Sequence, residues 1–185
     1  MAAASPGTGE DTEGASTDLR AFVPRGPLHW LRDEPERRHR QVDGSLVFVD
    51  ISGFTAMSER LARLGRVGAE EVTDLLNQTF SRLLAVAYED DASLMKFGGD
   101  ALLLQFTGDE HSLRAVHAAW GMRRKLRELQ PLQSSAGQVR LRMSVGVHSG
   151  PIDMFLVGAS HRELMLVGPA ASRVVAMEGL SLIHI

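Results

Sequence analysis

Residues 46–55 read LVFVDISGFT, and residues 94–106 read LMKFGGDALLLQF. In the first, Leu46–Val49 is a continuous apolar run ending at Asp50, the pattern of a strand covered on both faces. Ser52–Gly53 turns the chain, and a helix is expected over Phe54–Leu64. In the second, two strand-like runs, 94–97 and 101–106, flank Gly98–Gly99–Asp100, which predicts a β-hairpin. Each stretch leaves a carboxylate at a strand boundary: Asp50 at a strand's C-terminal end and Asp100 in a turn.

Outward from these stretches the elements alternate. Val72, Leu75, Leu76, Phe80, Leu83 and Leu84 recur at three- and four-residue spacing, one apolar face of a helix. Residues 110–130 predict a further helix ended by Pro131. Val139, Leu141, Met143, Val145 and Val147 alternate with polar or small residues, the period of a half-buried strand. Ser149–Gly150–Pro151 is expected to turn it, with strands following at 152–157 and 163–167. A helix is expected after Gly168–Pro169, since Pro suits a first helical turn. The order β-α-α-β-β-α-β-β-β-α predicts an α+β sandwich, helices packed on a mostly antiparallel sheet. There is no internal repeat.

Residues 1–18 are small, polar and acidic and read as a disordered tail. Residues 19–43 carry Leu19, Phe22, Val23, Leu28, Trp30 and Leu31 among prolines, a docking segment with a short helix from about Pro27 to Leu31. The regular domain spans 44–180. Its pattern runs at full strength at Met177–Glu178, so the expectation is a domain cut short, with 181–185 an atypical end.

The chain has 185 residues, 44% of them hydrophobic, and a net charge of -3. The basic runs at 37–40 and 123–125 lie beside acidic residues and read as solvated faces, so nucleic acid is not an expected partner. The absence of cysteine excludes disulfides and thiolate chemistry. No apolar run suits a membrane span or a secretory signal, and the expected location is cytoplasmic. The histidines show no ligand spacing, and His148 reads as structural.

Taken singly, Asp50 and Asp100 would be ordinary strand-end and turn residues. Together on rigid neighbouring strands, they can hold one or two Mg²⁺ or Mn²⁺ ions, the other ligands coming from phosphate and water. Two such ions clamp the attacking and leaving oxygens of a phosphoryl displacement. Gly53, Phe54 and Thr55 open a helix whose free N–H groups suit a triphosphate.

FVDISGFT at 48–55 and LMKFGGDALL at 94–103 resemble the two metal motifs of class III adenylyl and guanylyl cyclases. RMSVGVHSG at 142–150 and LVGPAASRVVAMEG at 166–179 resemble the motifs that follow them in that family. The likeness covers roughly 44–180. It is nearest to the first catalytic domain of bicarbonate-responsive soluble adenylyl cyclases and to bacterial proteins with tandem cyclase domains. It implies a ferredoxin-like sandwich in which Asp50, Asp100 and the backbone of Ile51 hold two Mg²⁺ or Mn²⁺ ions, with ATP as substrate. Lys96 stands at the base-reading position, where an ammonium goes with adenine because it donates to ring nitrogens.

One segment departs from the family. Ser172 stands at the position of the ribose-orienting Asn, Ala176 at that of the transition-state Arg, and Met165 at the second base-reading position. The resemblance therefore implies the metal-supplying half of an adenylyl cyclase, which needs a second cyclase domain for the Asn/Arg pair. The alternative is a regulatory pseudocyclase that binds nucleotide or an anion without turnover. Val175 stands where an arginine accompanies the lysine in the soluble enzymes, so there is no strong case for bicarbonate. Gly98–Gly99–Asp100 also resembles the turn of diguanylate cyclases, but Ala101–Leu102 replaces the Glu-Phe expected there.

Overall fold

The computed structural model describes residues 30, 32–159 and 162–181. The expected tail, most of the docking segment's 27–31 helix and the last four residues lie outside the described residues. Strand β1, His39–Ser52, is central to a five-stranded sheet of order β2-β3-β1-β6-β7, in which every pairing is antiparallel. The hairpin strands are β2, Ser93–Gly98, and β3, Ala101–Thr107; β6 is Arg142–Val157 and β7 is Glu163–Val167. Helices α1 (Phe54–Ala62), α2 (Arg66–Glu89), α3 (His111–Leu129) and α4 (Pro169–Ser181) cover the sheet. A small hairpin of β4 (Leu132–Ser134) and β5 (Gly137–Val139) joins α3 to β6.

Strand period divides β1 between two cores. Val47, Val49 and Ile51 face the larger one with Met57 and Leu61 of α1, Phe80, Leu83 and Leu84 of α2, and Ala115, Ala118 and Met122 of α3. The alanines of α3 let that helix lie close to the sheet. Each fully buried Leu or Met here stabilises the fold by about 1.5–3 kcal/mol. Leu46 and Phe48 face the second core with Trp30, Met95, Ile152, Met154, Leu156 and, from α4, Ala170 and Val174. The α+β sandwich with its antiparallel sheet is thus as expected; α2 extends several residues beyond its 72–84 stripe at each end, and α3 falls within the expected 110–130.

Two expectations are corrected and one element is added. Ser149–Gly150–Pro151 does not turn the chain: β6 runs straight through it, because Ser45, Gly44 and Asp43 of β1 pair with these three residues in unbroken register. Gly150 absorbs the irregularity with φ of 146°. The β4–β5 hairpin is an additional element, closed by Ser134 donating from its hydroxyl to the Gly137 carbonyl. Finally, β1 begins at His39 rather than near Gly44, since His39–Asp43 pair with Pro151–Phe155 and His39 stacks on Phe155. No described helix is long and apolar enough to cross a membrane.

Candidate active site

The β1–β3 register brings the two aspartates together. Asp50 pairs with Ala101, and the Ile51 N–H donates to the Asp100 carbonyl at 3.1 Å. Asp50 is on the opposite face of β1 from Val49 and Ile51, toward α4, and is half-buried, as is Asp100. Among the described residues neither carboxylate has a hydrogen-bond or ion-pair partner. Burial, the charge of Asp100 and then the charge of Glu178 hold the Asp50 carboxyl above its usual range.

Immediately after Asp50 the chain enters α1. Gly53 takes φ of 107°, a backbone that side chains rarely adopt, and a Cβ there would lie 3.1 Å from the Arg140 carbonyl. Met57 makes the first intrahelical bond, to the Gly53 carbonyl at 3.2 Å, and Gly53 supplies no side-chain cap. The N–H groups of Phe54 and Thr55 therefore precede the helical ladder and remain available to an anion. The Phe54 side chain points elsewhere: it is buried in the core and stacks on Phe80 at 5.9 Å. Only its backbone belongs to the site.

Lys96 is not in this group. It pairs with Leu103, two steps up the hairpin from Gly98, after a bulge at Met95 that puts Met95 into the second core. Its ammonium lies 3.6 Å from Glu163 on the opposite edge strand β7, and both side chains are exposed. On β7 Met165 shares the exposed face with Glu163, while Leu164 and Leu166 turn inward. On α4, Ser172 hydrogen-bonds the Gly168 carbonyl, and Ala176 is exposed.

Two residues beside Asp50 carry no functional role in the sequence pattern. Ser144 of β6 pairs with Asp50 across the ladder and donates from its hydroxyl to a Glu178 carboxylate oxygen. Glu178 reaches β6 because Gly146 has no side chain: a Cβ there would lie 2.2 Å from the Val174 carbonyl and 2.6 Å from the Glu178 nitrogen. The available signal was the four-residue spacing from Val174, which faces the sheet, to Glu178. A cavity of about 370 Å³ lined by Arg123, Leu126, Arg127, Gln130, Leu141, Arg142 and Met143 involves none of the candidate residues.

The donor set fits a hard divalent cation: two carboxylates lacking cationic partners, with the Ile51 carbonyl between them in sequence. Among the described residues no set of three His, Cys, Asp or Glu side chains could hold a metal ion. Remaining ligands would come from backbone, phosphate and water, as Mg²⁺ prefers.

The profile of the Adenylate and Guanylate cyclase catalytic domain family matches residues 36–184. A similar protein is the adenylate cyclase type 10 of Oryctolagus cuniculus, 31% identical over 128 residues, covering 68% of this chain and 8% of that protein. An adenylate cyclase of Anabaena cylindrica is 28% identical over 142 residues, covering 74% of this chain and 27% of its own length. The chain thus spans a small part of these relatives. In fold it resembles a bacterial light-regulated adenylyl cyclase, with a TM-score of 0.71 at 20% identity over 88% of this chain and 48% of that one. The adenylyl cyclase CyaB from P. aeruginosa matches at a TM-score of 0.66 and 24% identity, over 78% of this chain and 75% of that one. With most of its length matched in the right order, this chain belongs to the adenylate and guanylate cyclase catalytic domain family.

Proposed function

We propose that this domain is the metal-supplying half of a cytoplasmic adenylyl cyclase that converts ATP to cyclic AMP and pyrophosphate. The observation that carries the reading is the convergence of Asp50, Asp100 and the start of α1 at one end of β1. Asp50, Asp100 and the Ile51 carbonyl would hold two Mg²⁺ or Mn²⁺ ions. Bound there, the ions would lower the pKa of the ribose 3′-hydroxyl and offset charge on the phosphates.

The chain's own groups have distinct tasks. The N–H groups of Phe54 and Thr55 face the triphosphate, and the left-handed turn at Gly53 lets the backbone approach it closely. The 3′-hydroxyl then loses its proton to water, its oxygen attacks the α-phosphorus, the bond to the β-phosphate oxygen breaks, and pyrophosphate leaves. Lys96 would serve the other, degenerate site of the pair together with Met165, where its ammonium could leave its exposed pair with Glu163 and donate to an adenine ring nitrogen or a small anion.

The other half must come from a second cyclase domain, because Ser172, Ala176 and Met165 cannot act as the ribose-orienting Asn, the transition-state Arg and the base acceptor. Losing one transition-state donor costs about 10²–10³ in rate, so the domain alone should be nearly inactive. The second reading, a nucleotide-binding pseudocyclase, is favoured by the same three positions. The decisive assay measures cyclic AMP formation by this domain with and without a cyclase domain carrying the Asn/Arg pair. Turnover only with the partner, abolished by Asp50→Ala or Asp100→Ala, supports the enzyme half. Nucleotide binding without turnover in both mixtures supports the pseudocyclase, and robust turnover by the domain alone refutes the division of labour.

A further inference from the structure

We infer that Glu178, anchored by Ser144 at the strand position opposite Asp50, is an outer carboxylate of the candidate metal site and makes triphosphate binding there depend on divalent cation. The inference rests on the reading of Asp50 and Asp100 as metal ligands and extends it to a residue on a different element.

Three features fix Glu178 in place. Ser144 is 2% exposed and sits directly across the ladder from Asp50. Its hydroxyl donates to the Glu178 carboxylate, so the negative charge is held against β6 rather than swung into solvent. The bare backbone of Gly146 lets α4 close on the strand, which sets the height of Glu178 beside Asp50. Glu178 also adds to the like charge that Asp50 carries. It is outside any set of three side chains able to ligate one ion, so it acts through charge and position, not by coordination.

The consequence is electrostatic. Three carboxylates repel a bare triphosphate from the N-terminus of α1, where the backbone N–H groups alone would welcome it. A divalent cation reverses the sign of the local field, and the third carboxylate strengthens that cation's binding. Glu178 therefore widens the gap between metal-free and metal-bound nucleotide affinity. A unit charge near a half-exposed site changes affinity by about fivefold to tenfold.

The test uses the whole chain with Mn²⁺ and ATP as probes. Free Mn²⁺ is followed by electron paramagnetic resonance, and ATP binding by equilibrium dialysis in EDTA and in excess Mn²⁺. Glu178→Gln keeps an oxygen to accept from Ser144, so α4 stays seated, and circular dichroism checks the fold. The expected result is Mn²⁺ affinity weakened about fivefold, ATP affinity in EDTA raised, and their ratio compressed by on the order of tenfold. Ser144→Ala, which frees the carboxylate, should shift both in the same directions by less. Asp50→Asn should abolish Mn²⁺ binding. An unchanged ratio in Glu178→Gln, with Asp50→Asn still abolishing binding, overturns the inference and leaves the metal reading intact. Loss of all Mn²⁺ binding in Glu178→Gln also overturns it, since Glu178 would then be a direct ligand. Failure of the unmodified chain to bind Mn²⁺ brings down the metal reading and the inference with it.

Discussion

Replacing Asp50 by Asn should stabilise the metal-free fold while removing its function. The Asp50 carboxyl is held above its usual range by burial, by Asp100 and by Glu178, and no cation among the described residues compensates it. Two like charges about 4 Å apart in watery surroundings repel by about 1 kcal/mol. Asp50 is only half-buried, so screening trims the combined effect to roughly 0.5–1 kcal/mol. For a domain of this size that raises Tm by about 1–4 °C. The sign with pH follows from proton linkage. A raised folded value means that the native state binds more protons than the unfolded chain between the ordinary carboxylate range and the raised value. Wild-type stability therefore falls as pH rises through that window and levels off above it. Asp50→Asn has no such fall, so the two proteins coincide in acid and diverge toward neutrality. Urea denaturation in EDTA, across a pH series, reads this directly. A neutral-pH stability of Asp50→Asn equal to or below wild type, or a difference that grows in acid, would refute the argument that Asp50 is a strained anion awaiting a cation.

Two glycines give further tests. Gly53→Ala places a Cβ at φ of 107° and 3.1 Å from the Arg140 carbonyl, which should cost about 1–2 kcal/mol in urea and weaken nucleotide binding by moving the start of α1. Gly146→Ala puts a Cβ 2.2 Å from the Val174 carbonyl and should lift α4 from β6, destabilising by about 1–3 kcal/mol and breaking the Ser144–Glu178 bond. Its Mn²⁺ affinity should then fall alongside that of Ser144→Ala.

Local pattern was sufficient where local chemistry decides. The β2–β3 hairpin was legible because Gly98–Gly99 supplies the turn, with Gly99 at φ of 75°, between two apolar runs. Helix α2 was legible from one stripe, Val72 to Leu84, which joins the larger core beside α1 and α3. The path through Ser149–Gly150–Pro151 was not, because its turn-forming residues are overruled by pairing with β1 from Arg142 to Phe155. The same pairing carries β1 back to His39 through polar residues that have no apolar pattern to read. The β4–β5 hairpin, with three-residue strands, is too short to show a period.

The candidate site divides along the same line. Asp50, Ile51, Gly53 and Asp100 sit at the ends of strongly patterned elements, so their positions could be read in sequence, and the β1–β3 register brings them together. Lys96 lies close to Asp100 along the chain, but the bulge at Met95 and the reach to Glu163 take its ammonium to the sheet's far edge. Ser144 and Glu178 are the reverse case. They are 34 positions apart, each unremarkable in its own segment, and they meet beside Asp50 only because β6 pairs with β1 and α4 rests on Gly146. Chemistry that depends on a residue's own backbone turn is written locally. Charge contributed across a ladder and a helix–strand contact is not, and on the proposed reading it is this second kind that would make triphosphate binding depend on a divalent cation.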